Sequence, residues 1–453
     1  MSGSAGAAGP PREARFLTGS TMRHVTVMTF TGALGLMSMF FVDLADLFFL
    51  SLLGRTEITA AIGFAGTIAF ANLSLSIGSG IAAAVHVARN VGAGKVETAR
   101  HFATNAAVFS AAVSLAISLA VAIGSDGLLR LLGANGEALR LAQVYLWTLI
   151  PGFVLIATAV SFSFILRGLG DARRSMYITL IIAVIIAVLD PLLIFGLGLG
   201  LQGAAIATVI AYAGAFLTGL HSVTRIHRFL APFSLASFRA DLPPILGVAG
   251  PVMLTQIATP FAAAYATAAI APFGNDAVAG MAIIGRLIPV TFGIIFALSG
   301  SIGPIIGQNV GAEQFDRVRQ TLRDGLTFNI AYTGTTCLLL LLFRSHIAAA
   351  FSATGETHDL IVFFCTFISW TWAFAGVQFV ASALFNNTGR ATTSTLLNWG
   401  KATLGTIPLV HWGAATWGAK GVLIGTGVGS ILFGIVSLLW AVAVVNRLAR
   451  KAT

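Results

Sequence analysis

Ala88-Arg-Asn-Val-Gly-Ala93 recurs as Gly307-Gln-Asn-Val-Gly-Ala312, 219 residues further on. Outward from this pair the same offset sets Glu97 against Asp316, Arg100 against Arg319, Ser163 against Ser382, Gly170 against Gly389 and Ser175 against Ser394. A chain of 453 residues with that register is two similar halves. Its residues are 57% hydrophobic and 9% charged, and its mean hydropathy is +0.91, outside the range of soluble globular chains. Both halves therefore lie in lipid. A duplicated membrane bundle encloses a cavity between its halves, the usual architecture of a secondary transporter.

The apolar stretches exceed the ~20 residues that cross a bilayer. Val25 to Leu53 carries only Asp43 and Asp46 as charges, and Met176 to Leu220 only Asp190. An all-α membrane protein of twelve helices is expected, with spans near 25–53, 58–86, 98–124, 136–166, 174–196, 201–223, 243–272, 277–307, 320–343, 358–387, 392–412 and 421–445. With the N-terminus inside, 19 of the 26 Lys and Arg fall on cytoplasmic segments and five on external loops (Arg55, Arg130, Arg140, Arg344, Lys420). The remaining two, Arg286 and Lys401, fall within spans. This is the positive-inside asymmetry, so the net charge of +10 sets orientation and calls for no nucleic acid. Both termini are expected in the cytoplasm. The first twenty residues have no apolar core of a signal peptide and read as a flexible cytoplasmic tail. Cys337 and Cys365 lie in apolar segments far apart, which suggests neither a disulfide framework nor a metal site. Each reads as a small buried apolar residue.

One repeat holds six spans, an even number, so both halves enter the membrane in the same direction. The pseudo-two-fold should run along the membrane normal. The expected division is a tail at 1–20, an N-terminal six-helix lobe at 21–228, a cytoplasmic connection at 229–242 and a C-terminal lobe at 243–447. The repeat is imperfect in its membrane carboxylates. Asp190-Pro191-Leu192 matches Ile407-Pro408-Leu409 at an offset of 217, and Asp46 faces Tyr265 at 219.

The Asn-Val-Gly-Ala segments end the second and eighth spans. Gly92 and Gly311 suit left-handed caps, with short polar helices following at Lys95–Arg100 and Gln314–Arg323. Turn chemistry accounts for every residue of these segments, so they mark a family better than a site. The chemical signal is the carboxylates, because a charged Asp deep in hydrocarbon costs on the order of 3 kcal/mol. Asp43 and Asp46 share a helix face. Asp190 precedes Pro191, which removes a backbone donor and frees a carbonyl nearby. At 1.5 Å per residue, Asp46 lies about 12 Å, Asp190 roughly 9 Å and Thr208 about 10 Å below the external ends of their spans. The three groups are level.

Burial and a neighbouring carboxylate both disfavour the ionised form, so such a pair can hold a proton and release it on wetting. Oxygen ligands could equally hold sodium at Asp46, Asp190 and Thr208. The plainer role for Asp190 is to satisfy backbone groups around Pro191, although a hydroxyl or Asn would do so at lower cost in lipid. Asp43 has the simpler reading of an acid facing water in the cavity. Arg286 is a candidate ligand contact, or a lone cation paired with carbonyls, and Lys401 is equally open. Gln256 and Gln378 are candidate cavity or substrate residues, with interhelical hydrogen bonding as the plainer role.

Together these features resemble the MATE (multidrug and toxic compound extrusion) family over about residues 20–447. The likeness rests on Asp46-Leu-Phe-Phe-Leu-Ser-Leu-Leu-Gly54, Leu166-Arg-Gly-Leu-Gly-Asp-Ala-Arg173, Leu189-Asp-Pro-Leu-Leu-Ile-Phe-Gly196 with Gly203-Ala-Ala-Ile-Ala-Thr208, and Gly307-Gln-Asn-Val-Gly-Ala312. The resemblance implies twelve helices in two six-helix bundles and proton- or sodium-driven export of mostly cationic, amphipathic compounds. Asp46, Asp190 and Thr208 match the coupling-ion network of the DinF-like branch. That branch often has Asn one turn before the fifth-span Asp; Ile186 stands there, which weakens sodium and favours protons. The branch that couples through carboxylates of the C-terminal lobe is not matched, since 243–272 and 360–387 contain no Asp or Glu.

The leading expectation is a cation-coupled antiporter, not an enzyme, with no cofactor beyond the coupling H+ or Na+. It would act as a monomer in the bilayer of a bacterial inner membrane on small-molecule substrates. A lipid-linked oligosaccharide flippase is the alternative within transport, although such proteins carry more charge along the cavity. An intramembrane prenyl-transfer enzyme reading Asp43-x-x-Asp46 as a metal motif is remote, because no basic cluster lies near.

Overall fold

The structure, a computed structural model, describes residues 14–51 and 56–452; the side chains at 41, 43–48, 51, 56, 451 and 452 lie outside that description. Among the described residues it is entirely helical. The helices are α1 (Thr21–Ser51), α2 (Thr56–Gly92), α3 (Val96–Leu131), α4 (Gly136–Gly168), α5 (Ala172–Gly196), α6 (Gly200–Ile226), α7 (Leu235–Phe273), α8 (Asn275–Gly311), α9 (Phe315–Ala350) and α10 (Gly355–Asn387). Beyond Ala391 the helical path is interrupted by a turn at 403–406 and leaves regular geometry again at Trp417 and Gly418, where Gly418 has φ +60°. That break separates α11 (391–416) from α12 (419–450). Ten stretches among the described residues are long and apolar enough to cross a bilayer; the last, Ala391–Arg450, holds both α11 and α12, and α1 completes the twelve. The protein is a multi-pass membrane protein of two six-helix lobes.

Within each lobe, small residues let apolar helices close up, as they must where no hydrophobic drive separates helix from lipid. Gly80 of α2 packs under the ring of Phe164, and Gly168 of α4 against Val87. The two lobes meet as the repeat requires. α1 lies on α8, and its symmetry counterpart α7 lies on α2. α2 and α8 cross each other on the pseudo-two-fold.

That crossing corrects the expectation for the repeated motif. Gly92 and Gly311 are not left-handed caps; the positive φ falls two residues later, at Gly94 (72°) and Glu313 (57°). Each motif glycine instead abuts the backbone of the other lobe. A Cβ on Gly92 would lie 2.6 Å from the carbonyl carbon of Gln308, and one on Gly311 would lie 2.8 Å from that of Arg89. Arg89 and Gln308 are themselves repeat partners, so the pair of contacts is symmetric. Nor are there short polar helices after the motifs. α3 and α9 start at Val96 and Phe315 and run on without a break into the membrane.

Of the tail expected at 1–20, residues 14–20 are docked and the rest lies outside the described residues. Phe16 is buried, its N–H donating to Oε1 of Gln308 at 3.0 Å. Arg317 donates to the carbonyls of Phe16 at 2.8 Å and Gly19 at 3.1 Å, and Arg15 to that of Gly170 at 3.3 Å. Gln308 Nε2 donates to the Gly168 carbonyl at 2.8 Å. The segment thus ties the inner ends of α8 and α9 to the α4–α5 turn.

Candidate functional site

The lobes touch on the half of the protein that bears the termini and part on the other. On α1 and α8, Ser301 Oγ donates to the Met28 carbonyl at 2.9 Å, and Gly293 lies against Met37. On α2 and α7, His86 Nε2 bonds the Pro244 carbonyl at 3.0 Å, and Gly78 packs on Met253. Continue outward along the same stripes and burial gives way to exposure. On α2, buried Gly78 is followed by exposed Ala71, Thr67 and Gly63; on α8, buried Gly293 is followed by exposed Arg286 and Ala282. Side-chain positions about seven residues apart share a helix face, so one stripe passes from contact to open space. The result is a cleft sealed at the terminus-bearing face and open at the opposite one.

Asp190 stands in the N-terminal lobe and is fully buried. It precedes Pro191, whose missing N–H ends the regular ladder, and a π turn follows at Leu192–Gly196. Gly203 of α6 packs directly on the backbone of that turn, with a Cβ there 2.8 Å from the Leu193 carbonyl. Gly214 of α6 lies against Ile185. Interpolating between these two contacts on antiparallel helices sets Thr208 level with Asp190. Thr208 is buried, its hydroxyl donating to the Ala204 carbonyl at 3.0 Å.

The side chains of Asp43 and Asp46 lie outside the described residues. The helix that carries them is described. Gly35 of α1 abuts Thr179 of α5, and the Phe49 and Phe195 rings meet edge to face with centroids 6.3 Å apart. Position 46 is eleven residues outward of Gly35, and Asp190 eleven outward of Thr179. Eleven residues are about three turns, so position 46 occurs on the α5-facing stripe at the level of Asp190. Ile186 is buried one turn inward, where no amide oxygen is offered.

The C-terminal candidates separate. Gln378 is buried and donates to the Leu397 carbonyl at 3.3 Å, joining α10 to α11, so it is not a cavity residue. Gln256 is half-buried on α7. Arg286 is exposed in the cleft. Lys401 is half-buried on the α11 stripe between Leu397 and Asn398, both of which face α10. Cys337 and Cys365 are buried free thiols, as their apolar settings imply.

Two features escaped the sequence reading. Arg167, counted there with loop charges, is the penultimate residue of α4 and buried. Its Nε donates to Ser175 Oγ at 2.9 Å and its guanidinium lies over the Phe164 ring at 5.1 Å. Gly300 of α8 and Gly32 of α1 leave the space it fills, at the floor of the cleft. A lone Arg beside a glycine-rich turn gives no sign of burial in one dimension. The second is Asp171, which caps α5. Burial pushes its carboxyl up, but hydrogen bonds from His227 Nε2 at 2.8 Å and Arg174 Nη1 at 2.6 Å outweigh this. The carboxyl is held well below the usual carboxylate range.

α1 connects these parts. Its outer half packs on α5 beside Asp190, while its first residue, Thr21, donates to the Asp324 carboxylate of α9, which also accepts from Gln320 at 2.8 Å. One helix therefore reaches from the buried acid of one lobe to the polar seal of the other.

The MatE family model matches residues 33–192 and 251–410, once in each lobe. The chain is 30% identical over 414 residues to the FAD transporter of Shewanella oneidensis, covering 90% of this chain and 91% of that one. It is 25% identical to the multidrug export protein MepA of Staphylococcus haemolyticus over 391 residues, covering 83% and 84%. Among solved structures, an outward-facing multidrug resistance MATE family transporter superposes with a TM-score of 0.90 at 23% identity, covering 96% of this chain and 98% of that one. The Vibrio cholerae MATE transporter VcmN in its bent form gives 0.89 at 23% identity, covering 94% and 98%. These last two speak for the fold alone.

Proposed function

This chain belongs to the MATE family of efflux transporters, and from that premise we propose a cation-coupled antiporter that exports amphipathic small molecules by alternating access, with protons favoured over sodium. The positive-inside asymmetry supports a cytoplasmic terminus-bearing face, and on that orientation the cleft opens outward. The observation that carries the reading is Asp190, fully buried, level with position 46 and Thr208, on the helix against which α1 packs.

The open cleft admits water and protons to the outer half of the N-terminal lobe. Protonating a buried carboxylate removes a charge from low dielectric and changes what the surrounding helices gain by packing around it. α1 feels that change along its outer half. Its inner end is bonded to α9 through Thr21 and Asp324, and the segment before it to Gln308 and Arg317. A shift of α1 therefore bears on the seal between lobes, which is what alternating access requires. Ile186, buried where an amide would complete an oxygen shell, supports protons over sodium. The relative named FAD transporter supports a cargo range that includes ring-bearing metabolites.

Transport in everted vesicles, with ΔpH and a sodium gradient imposed separately, tests this. Uptake should follow ΔpH and disappear in Asp190→Asn, with the variant inserted normally. Full activity of Asp190→Asn under both gradients would refute the mechanism.

A further inference from the structure

The two lobes divide their charges. Asp43, Asp46 and Asp190 belong to the N-terminal lobe. Between 243 and 447 every acid sits in an interhelix turn or the first two turns of a helix, except Asp324, whose carboxylate is held by Thr21 and Gln320. The same lobe carries Arg286 and Lys401 inside the membrane. Arg286 stands two turns outward of the Gly293 contact, exposed on the stripe that faces the other lobe. Arg167 adds a third cation at the cleft floor. Among the described residues none of the three has a carboxylate partner.

Inward of Arg286 on α8, by six to ten residues or about 9–15 Å along the helix, lies an aromatic wall. Phe292 stacks on Trp372 with centroids 5.0 Å apart, Phe296 meets Trp372 edge-on at 5.7 Å, and Phe296 meets Phe379 at 5.5 Å. Phe296, Trp372 and Phe379 are each only half-buried. Lys401, one turn outward of Leu397, is at about the depth of Trp372, because Leu397 is bonded by Gln378, six residues inward of Trp372. Cations with no carboxylate partner among the described residues, set about a cleft with low-dielectric walls, focus a field that draws anions and repels cations. Half-exposed rings beside them offer a flat apolar face.

Resting on the export reading, we propose that the cargo is an amphipathic organic anion with a planar aromatic ring. Its ring lies on the Phe296–Trp372–Phe379 wall and its negative group is met by Arg286, with Lys401 contributing charge from behind. The lobes then divide the work. The N-terminal acids take the coupling cation and the C-terminal bases take the cargo, so cargo and proton need not compete for one carboxylate.

Fluorescein and rhodamine 6G test this, since they share a ring system and carry opposite charge. The full chain is reconstituted in proteoliposomes under ΔpH. Fluorescein should be carried saturably, its KM rising roughly tenfold or more in Arg286→Gln, the loss of a hydrogen bond to a charged group. Arg286→Lys should recover much of that, and rhodamine 6G should not compete. Because Arg286 is exposed, Arg286→Gln should melt like the wild type, which separates a cargo role from a structural one. Carriage of rhodamine 6G but not fluorescein, or an unchanged fluorescein KM in both Arg286→Gln and Lys401→Gln, overturns the assignment. If rhodamine 6G is carried and Asp190→Asn abolishes it, the anion inference falls and the antiport reading stands. If ΔpH drives neither dye, both fall.

Discussion

Gly311→Ala should open the inner seal. The Cβ it adds would overlap the Arg89 carbonyl oxygen and stand 2.8 Å from the carbonyl carbon and 3.0 Å from the nitrogen of Ala93. Carbon atoms in contact rest about 3.5–4.0 Å apart, so α2 and α8 must part by roughly 1 Å. The obstruction is backbone on both sides, and no rotamer change relieves it. Overpacking of this kind costs on the order of 1–3 kcal/mol. The cost falls only on the state in which the two helices cross tightly, so the balance between conformations moves by roughly five- to 140-fold, at ~1.4 kcal/mol per tenfold. Spin labels at exposed Asn135 and Glu356, on the open-face ends of the two lobes, would report the change by electron–electron resonance. Native Cys337 and Cys365 are removed beforehand. The wild type should show a long separation and Gly311→Ala a second, shorter population. Gly63→Ala, whose Cβ meets nothing within 4 Å, is the control and should leave the distances alone. A lower melting temperature with an unshifted distance distribution would refute the reasoning, for the crossing would then stabilise the fold without selecting the state.

Two further predictions concern the polar network at the terminus-bearing face. The Asp171 carboxyl is depressed in the folded protein, so its stabilisation is complete above the unfolded value near ~4 and is lost as pH falls through the folded value. Thermal melts in detergent between pH 7 and 3 should show Asp171→Asn less stable by about 1–3 kcal/mol at neutrality and flatter with acid; parallel curves would contradict the assignment. Arg317→Ala removes donors to Phe16, Thr18, Gly19 and Asn309, so amide exchange over 16–20 should rise sharply in mass spectrometry. Protection equal to wild type would mean that Gln308 alone holds the segment.

The duplication, the twelve spans and the level of Asp190 with Thr208 were all readable in one dimension. Each follows from local quantities: a register, a run of apolar residues, a rise per residue. Asp190 in particular announced itself, since a carboxylate amid Val, Ile and Leu has no cheap explanation in lipid. Gln378 and Gly92 did not. An amide among apolar residues looks the same whether it bonds a neighbouring helix or faces a cavity, and a glycine at a helix end looks like a cap. What settled them was which residue of a distant helix arrived opposite.

By itself, then, the sequence determined the two-bundle helical fold and the level of Asp190 with Thr208, because hydropathy and helical rise act residue by residue. Only tertiary structure decided that the repeated glycines are a backbone crossing, that Arg167 lies under the cleft, and that residues 14–20 lock the lobes together. Those outcomes depend on close approaches between segments roughly 140 to 300 residues apart, and no spacing along the chain records which face of one helix will meet which face of another.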